Sequence, residues 1–178
     1  MILLLTLTST AWAGDKFTLS SPDFSPGGVI PQALVYNAVG CTGGDQSPEL
    51  RWRGTPAGTR SYAITVFDGD ERGSPSGWWH WVIYDLPGNT SSLARGAGAE
   101  HSTSLPPGTI QGRSDLGTDA YHGPCPDVGD PAHHYVITIY ALSVDKLPVP
   151  PEASGAMVSY VARGVTLATA RLVGRYQR

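Results

Sequence analysis

Charge is scarce in this chain, and lysine scarcest of all. Only 15% of the 178 residues are Asp, Glu, Lys or Arg, lysine occurs only as Lys16 and Lys146, and the formal net charge is -3. No face can be basic enough to neutralise a phosphate backbone, which excludes nucleic-acid binding as a function. The two cysteines, Cys41 and Cys125, are too far apart for a CxxC redox or metal motif. There is no HExxH, no pair of histidines at i and i+4, no G-x-S-x-G and no Walker glycine loop ending in Lys-Ser/Thr. Those gaps remove the motif-borne zinc hydrolases, the nucleophile-elbow hydrolases and the P-loop enzymes. Repeats, heptads and low-complexity tracts are missing too. The one apolar run, Met1 to Thr10, is too brief to span a bilayer, so no transmembrane anchor is expected.

Glycine and proline are plentiful, with 22 and 15 residues, and together with 40% hydrophobic content they point to a mainly β protein with many ordered turns. The length suffices for one domain, expected over 14–178. Residues 1–13, MILLLTLTSTAWA, end in small residues at Ala11 and Ala13 and read as a signal peptide cleaved before Gly14; no basic n-region precedes the run, and the expectation is of a leader truncated at its start. A short buried strand is the alternative. Export implies a periplasmic or secreted protein. An even cysteine count in an exported chain then suggests a Cys41 to Cys125 disulfide, against the alternative of two separate buried thiols.

Ser61 to Phe67 (SYAITVF), Trp79 to Tyr84 and His134 to Leu142 carry the β-branched and aromatic residues of buried strands; Phe17 to Leu19, Ala33 to Tyr36 and Leu50 to Trp52 are weaker strand candidates. Leu86 to His122 reads as a long ordered excursion. Met157, Val161, Val165, Ala168, Leu172 and Tyr176 recur at helical spacing, which predicts a C-terminal amphipathic helix with Arg171, Arg175 and Arg178 near its end.

Two stretches, Asp68 to Pro87 and Tyr121 to Tyr140, each join a turn-rich loop to a strand, and three of the five histidines fall within a few residues of those strands. Asp68, Asp70, His80 and His133 have the residue types of a metal site but not its spacing, and no metal or cofactor is expected. The alternative site is a pocket for a small anion, with imidazoles donating, aspartates orienting them and raising their pKa, backbone amides of the Gly123 loop adding a nest, and Trp78 forming an apolar wall. Spacing alone leaves a third reading equally open, in which His80 is a core histidine and the aspartates are turn residues.

The same residues resemble the phosphatidylethanolamine-binding protein family in its bacterial Raf-kinase-inhibitor-like branch. Ser76 to Pro87 (SGWWHWVIYDLP) is similar to the family's S-G-W-W-H-W-V element, Tyr121 to Gly129 to its G-P-x-P turn, His133 to Leu142 to its H-R-Y strand, and Ser47 to Trp52 to its S-P-x-L-x-W strand. The resemblance implies a large central antiparallel sheet, a smaller sheet packed on it and a C-terminal helix. It also implies a pocket for a small anion or phospholipid headgroup formed by Asp68, Asp70, Trp78, His80, Gly123, Pro126, His133 and Tyr135, with Tyr176 a weaker candidate. The implied role is non-enzymatic binding, extending to inhibition or modulation of an unknown protein target; a hydrolase using His80 or His133 as general base is the alternative. Gly69 replaces a family proline between the aspartates, Asp127 replaces another in the turn, and His134 replaces the arginine of H-R-Y, facing away from His133 on strand geometry.

Overall fold

A computed structural model of the chain describes residues 15–178. The expected signal segment lies outside the described residues. Eight strands and one helix follow in the order β1 (Thr18–Ser20), β2 (Leu50–Arg53), β3 (Ser61–Asp68), β4 (Trp78–Pro87), β5 (Ser92–Leu93), β6 (Ile110–Gln111), β7 (His133–Leu142), α1 (Gly155–Arg163) and β8 (Thr166–Tyr176). They form a three-stranded antiparallel sheet, β1-β2-β5, and a five-stranded antiparallel sheet, β6-β4-β3-β7-β8. β3 is the central strand of the larger sheet and is buried along nearly its whole length.

Alternation along the strands sorts side chains between two cores. Tyr62, Ile64, Val66, Trp81, Ile83, Ile137, Ile139 and Leu172 face the small sheet and pack with Leu19, Leu50, Trp52 and Leu93. Ala63, Val82, Tyr84, Tyr140 and Leu142 point the other way, under Val158 and Ala162 of α1. Each fully buried Leu or Ile contributes roughly 1.5–3 kcal/mol. Among the described residues no helix is long and apolar enough to cross a membrane.

Five of the six strand expectations match within a residue or two at most ends, but two elements need correction. Ala33 to Tyr36 is not a strand: Pro31 starts a 3₁₀ turn at Gln32–Leu34, closed by Leu34 N donating to Pro31 O at 2.9 Å. The helix expected to run to Tyr176 ends at Arg163, and the chain returns through Gly164 as β8, paired residue by residue with β7. Met157 is exposed, whereas Val158, Ser159 and Ala162 form the buried helical face. The cation at the helix C-terminus is therefore Arg163, not the later arginines.

Candidate functional site

Asp68 is the last residue of β3 and pairs across the sheet with Trp78 of β4 and Tyr135 of β7, so three strands deliver side chains to one sheet end. The return from β3 to β4 depends on Gly77, at φ +74, where a Cβ would lie 2.2 Å from the Phe67 ring and 2.7 Å from the Asp68 carbonyl. Asp68 is buried, with each oxygen holding one partner: Oδ1 accepts from Asp70 N at 2.8 Å and Oδ2 meets His133 Nδ1 at 2.7 Å.

A cavity of about 220 Å³ opens at this end, lined by Asp68, Trp78, His80, Gly123, Pro126 and Tyr135 among others. His80 Nδ1 lies 2.8 Å from the His122 carbonyl oxygen. A carbonyl can only accept, so Nδ1 carries a proton and Nε2 of the neutral ring is an acceptor. Burial pushes the His80 pKa down, more than the His122 hydrogen bond and the Asp68 charge push it up. This corrects the expectation that a neighbouring carboxylate would hold the pocket histidine as imidazolium. Tyr135 packs edge-on against His80 with centroids 5.2 Å apart, and burial together with the Asp68 charge drives its hydroxyl pKa well above the phenol range. It is a committed donor.

His133 behaves differently. Burial opposes its charge, but the Asp68 hydrogen bond and charge outweigh that and, with Asp130, raise its pKa. Its Nε2 is buried, 3.5 Å from Asp130 Oδ2, too long for a well-formed hydrogen bond. His133 does not line the cavity but stands behind Asp68, and its neighbours Asp70 and His134 open on a separate shallow recess. Asp70 Oδ2 accepts from the His134 backbone N–H and pairs with His134 Nδ1, both at 2.8 Å, which lowers the Asp70 pKa. The two aspartates of Asp68-Gly69-Asp70 thus part company, one inward and one outward, and His134 faces away as strand geometry predicts.

Gly123 is at the wall for a packing reason: a Cβ there would lie 2.1 Å from the Leu34 carbonyl oxygen. Its N–H already donates to Asp45 Oδ1 at 2.7 Å, so the expected amide nest for an anion is not open at this residue. The wall next to it is pinned by the Cys41–Cys125 disulfide, which spans 84 residues. Asp127 is exposed and not part of the wall, and Tyr176 pairs with His133 in the sheet without reaching the cavity.

Tyr36, Val39, Glu71, Leu116 and His122 also line the cavity and were not singled out from sequence. His122 sits beside Gly123, with Nε2 2.5 Å from Thr118 Oγ1 and its ring edge-on to Tyr36 at 5.3 Å. Val39, 76% exposed at the rim, has φ 52, an outlier for a β-branched residue. The metal set Asp68, Asp70, His80 and His133 is not brought together; Asp68, Glu71 and His133 instead offer ligand atoms within 4.8 Å of one another.

The family described as phosphatidylethanolamine-binding protein matches residues 20–177. The YbcL protein of Escherichia coli K12 is 38% identical over 98% of this chain and 94% of its own length, and YbhB of the same organism is 37% identical over 89% and 98%. The crystal structure of Escherichia coli YbcL, titled a member of the mammalian PEBP family, superposes with a TM-score of 0.88 over 92% of this chain and 99% of its own at 38% identity. A phosphatidylethanolamine-binding protein homologue from Chlamydia trachomatis follows at a TM-score of 0.76, 30% identity and coverage of 91% and 97%.

Proposed function

Because this chain belongs to the phosphatidylethanolamine-binding protein family, we propose that it is a non-enzymatic binding protein whose cavity at the end of β3 receives a small phosphate-bearing headgroup. One observation carries this reading: a single 220 Å³ cavity joins the carboxylates of Asp68 and Glu71 to the protonated Tyr135 hydroxyl and the neutral His80 ring, with no Lys or Arg on its wall. A bare inorganic anion would face two carboxylates and no fixed side-chain cation from Lys or Arg. A headgroup carrying both phosphate and ammonium suits the wall better, its amine toward Asp68 and Glu71 and its phosphate toward Tyr135 and His80. The volume lies below the usual range for drug-sized ligands, which fits a headgroup and leaves any acyl chain outside, against the exposed rim at Val39 and Leu116. That rim is the surface through which occupancy would inhibit or modulate a protein target.

A phosphate oxygen that binds His80 Nε2 requires a proton there, so binding takes up a proton and affinity falls as pH rises. Calorimetric titration of phosphoethanolamine and of inorganic phosphate into the wild type and His80→Ala tests the site. Phosphoethanolamine binds the tighter of the two, and His80→Ala weakens it by about tenfold or more, the scale of a lost charge-assisted hydrogen bond. Equal affinity in the two proteins removes His80 from the site.

The hydrolase alternative is favoured by the same depressed pKa, because a neutral His80 can accept a proton as a general base. Ester or phosphate-ester turnover that disappears in His80→Ala would displace the binding reading. The Cys41–Cys125 bridge supports a periplasmic or secreted location, where disulfides persist.

A further inference from the structure

The outer face of the large sheet is longer than the helix that covers it. α1 has 9 residues, about 13 Å of helix, whereas β7 has 10 residues, about 33 Å of strand. Gly155 sets the helix start directly on Trp79, where a Cβ would lie 2.3 Å from the indole. Beyond that contact the sheet is left open, and a trough of about 510 Å³ runs between helix and sheet. Its floor is partly apolar: Phe67 and Trp79, with ring centroids 4.5 Å apart, and Val136 are all half-buried, and Thr65 and Thr138 lie beside them on the sheet. Tyr160, 79% exposed, overhangs from the helix.

Two arginines frame this trough, Arg163 in the last turn of α1 and Arg171 on β8. Both are exposed, and among the described residues neither is ion-paired. No carboxylate lines the trough. Asp115 accepts from Trp79 N and Asp70 is paired with His134. In a chain of net charge -3, a partly apolar slot bearing two unpaired guanidinium groups is opposite in sign to the whole.

We propose that this trough, on the opposite face of the sheet from the small-sheet core and separate from the cavity at the end of β3, is a docking site for an acidic peptide segment of a partner protein carrying an aromatic or aliphatic anchor. The anchor lies on Phe67 and Trp79 under Tyr160, and flanking carboxylates pair with Arg163 and Arg171 in the forked geometry that guanidinium offers. A recessed floor beside a helix admits a side chain but not a flat bilayer, which favours a peptide over an anionic membrane surface.

The test uses the full chain and short synthetic peptides in which Phe and Leu are flanked by Glu, or by Lys, read by tryptophan fluorescence and calorimetry. The Glu peptide binds and the Lys peptide does not. Arg163→Glu/Arg171→Glu weakens the Glu peptide by about tenfold or more, as expected for loss of paired interface charges. Binding of phosphoethanolamine stays unchanged in that variant because neither arginine lines the cavity, while the melting temperature falls slightly because Arg163→Glu puts an anion at the C-terminus of α1. Phe67→Ala removes the anchor site as a second, charge-independent variant. No binding of the Glu peptide at about 1 mM, a weak-complex ceiling, overturns the proposal, as does equal binding of the Lys peptide or an unaffected double variant. Self-association abolished by the same double substitution would assign the trough to a second copy, and preferential binding of phosphatidylglycerol vesicles would assign it to a membrane; either outcome overturns it as well.

Discussion

Two Asp–His pairs sit side by side on β7, nearly identical in contact geometry and opposite in surroundings. Asp68 Oδ2 meets His133 Nδ1 at 2.7 Å with both side chains 2% exposed, whereas Asp70 Oδ2 meets His134 Nδ1 at 2.8 Å with the side chains 47% and 55% exposed. The alternation of a strand puts consecutive histidines on opposite faces, and the Asp-Gly-Asp turn supplies each with its own carboxylate. The inner pair holds one wall of the cavity from behind; the outer pair ties the loop to the strand in water. Contact distance alone therefore says little about what a pair does. Solvent decides it.

The largest break in this comparison comes from removing one partner. Asp68→Ala leaves a buried imidazole without its carboxylate and destabilises the fold by about 3–5 kcal/mol, while Asp70→Ala costs about 0–1 kcal/mol. Denaturant unfolding of both variants measures the difference; similar losses would erase the distinction between the pairs.

Acid and base titrations sharpen it further. The folded pKa of His133 is raised, so its contribution is complete below the ordinary imidazole value, about 6.5, and is lost as pH rises through the folded value. The folded pKa of Asp70 is lowered, so its contribution is present above the ordinary carboxylate value, about 3.9, and is lost as pH falls through the folded value. The stability profile of His133→Gln should lose the wild-type decline on the alkaline side, and that of Asp70→Asn a small part of the decline in acid. A wild-type alkaline limb retained in His133→Gln would remove that residue as its source.

Salt gives the smallest effect. Raising ionic strength to about 1 M shrinks the Debye length to about 3 Å and weakens the exposed pair by a few tenths of a kcal/mol, leaving the buried pair nearly untouched. Double-mutant cycles at low and high salt separate the two responses.

The long central strands were readable from sequence because β3, β4 and β7 are dense in β-branched and aromatic residues, and their short bounding turns carry Gly and Pro. β8 departs from the expected helix for a geometric reason. Ala168, Leu172 and Tyr176 are four residues apart, a spacing that shares a face in a helix and in a strand alike. The discriminating residues were the ones between: Ala170 and Gly174 are buried, which only a period of two explains, and Gly164 ends the helix. At the site, family motifs led to Asp68, Trp78, His80, Gly123, Pro126 and Tyr135, all on the cavity wall. Tyr36 and Val39 lie just outside the matched motifs, on a distant loop that the bridge at Cys41 joins to the wall. The depression of the His80 pKa depends on burial, which local sequence does not encode.

Val39 holds a left-handed backbone that glycine would adopt without strain, and it does so at the mouth of the cavity, tied by its carbonyl to Arg178 Nη1 at 3.1 Å. For protein engineering this makes position 39 a fork. Glycine there would raise thermal tolerance and flatten the entrance, whereas valine keeps an oily lip at the doorway and a slightly weaker fold. A stability screen and a ligand screen run on the same library should select opposite residues at this one site.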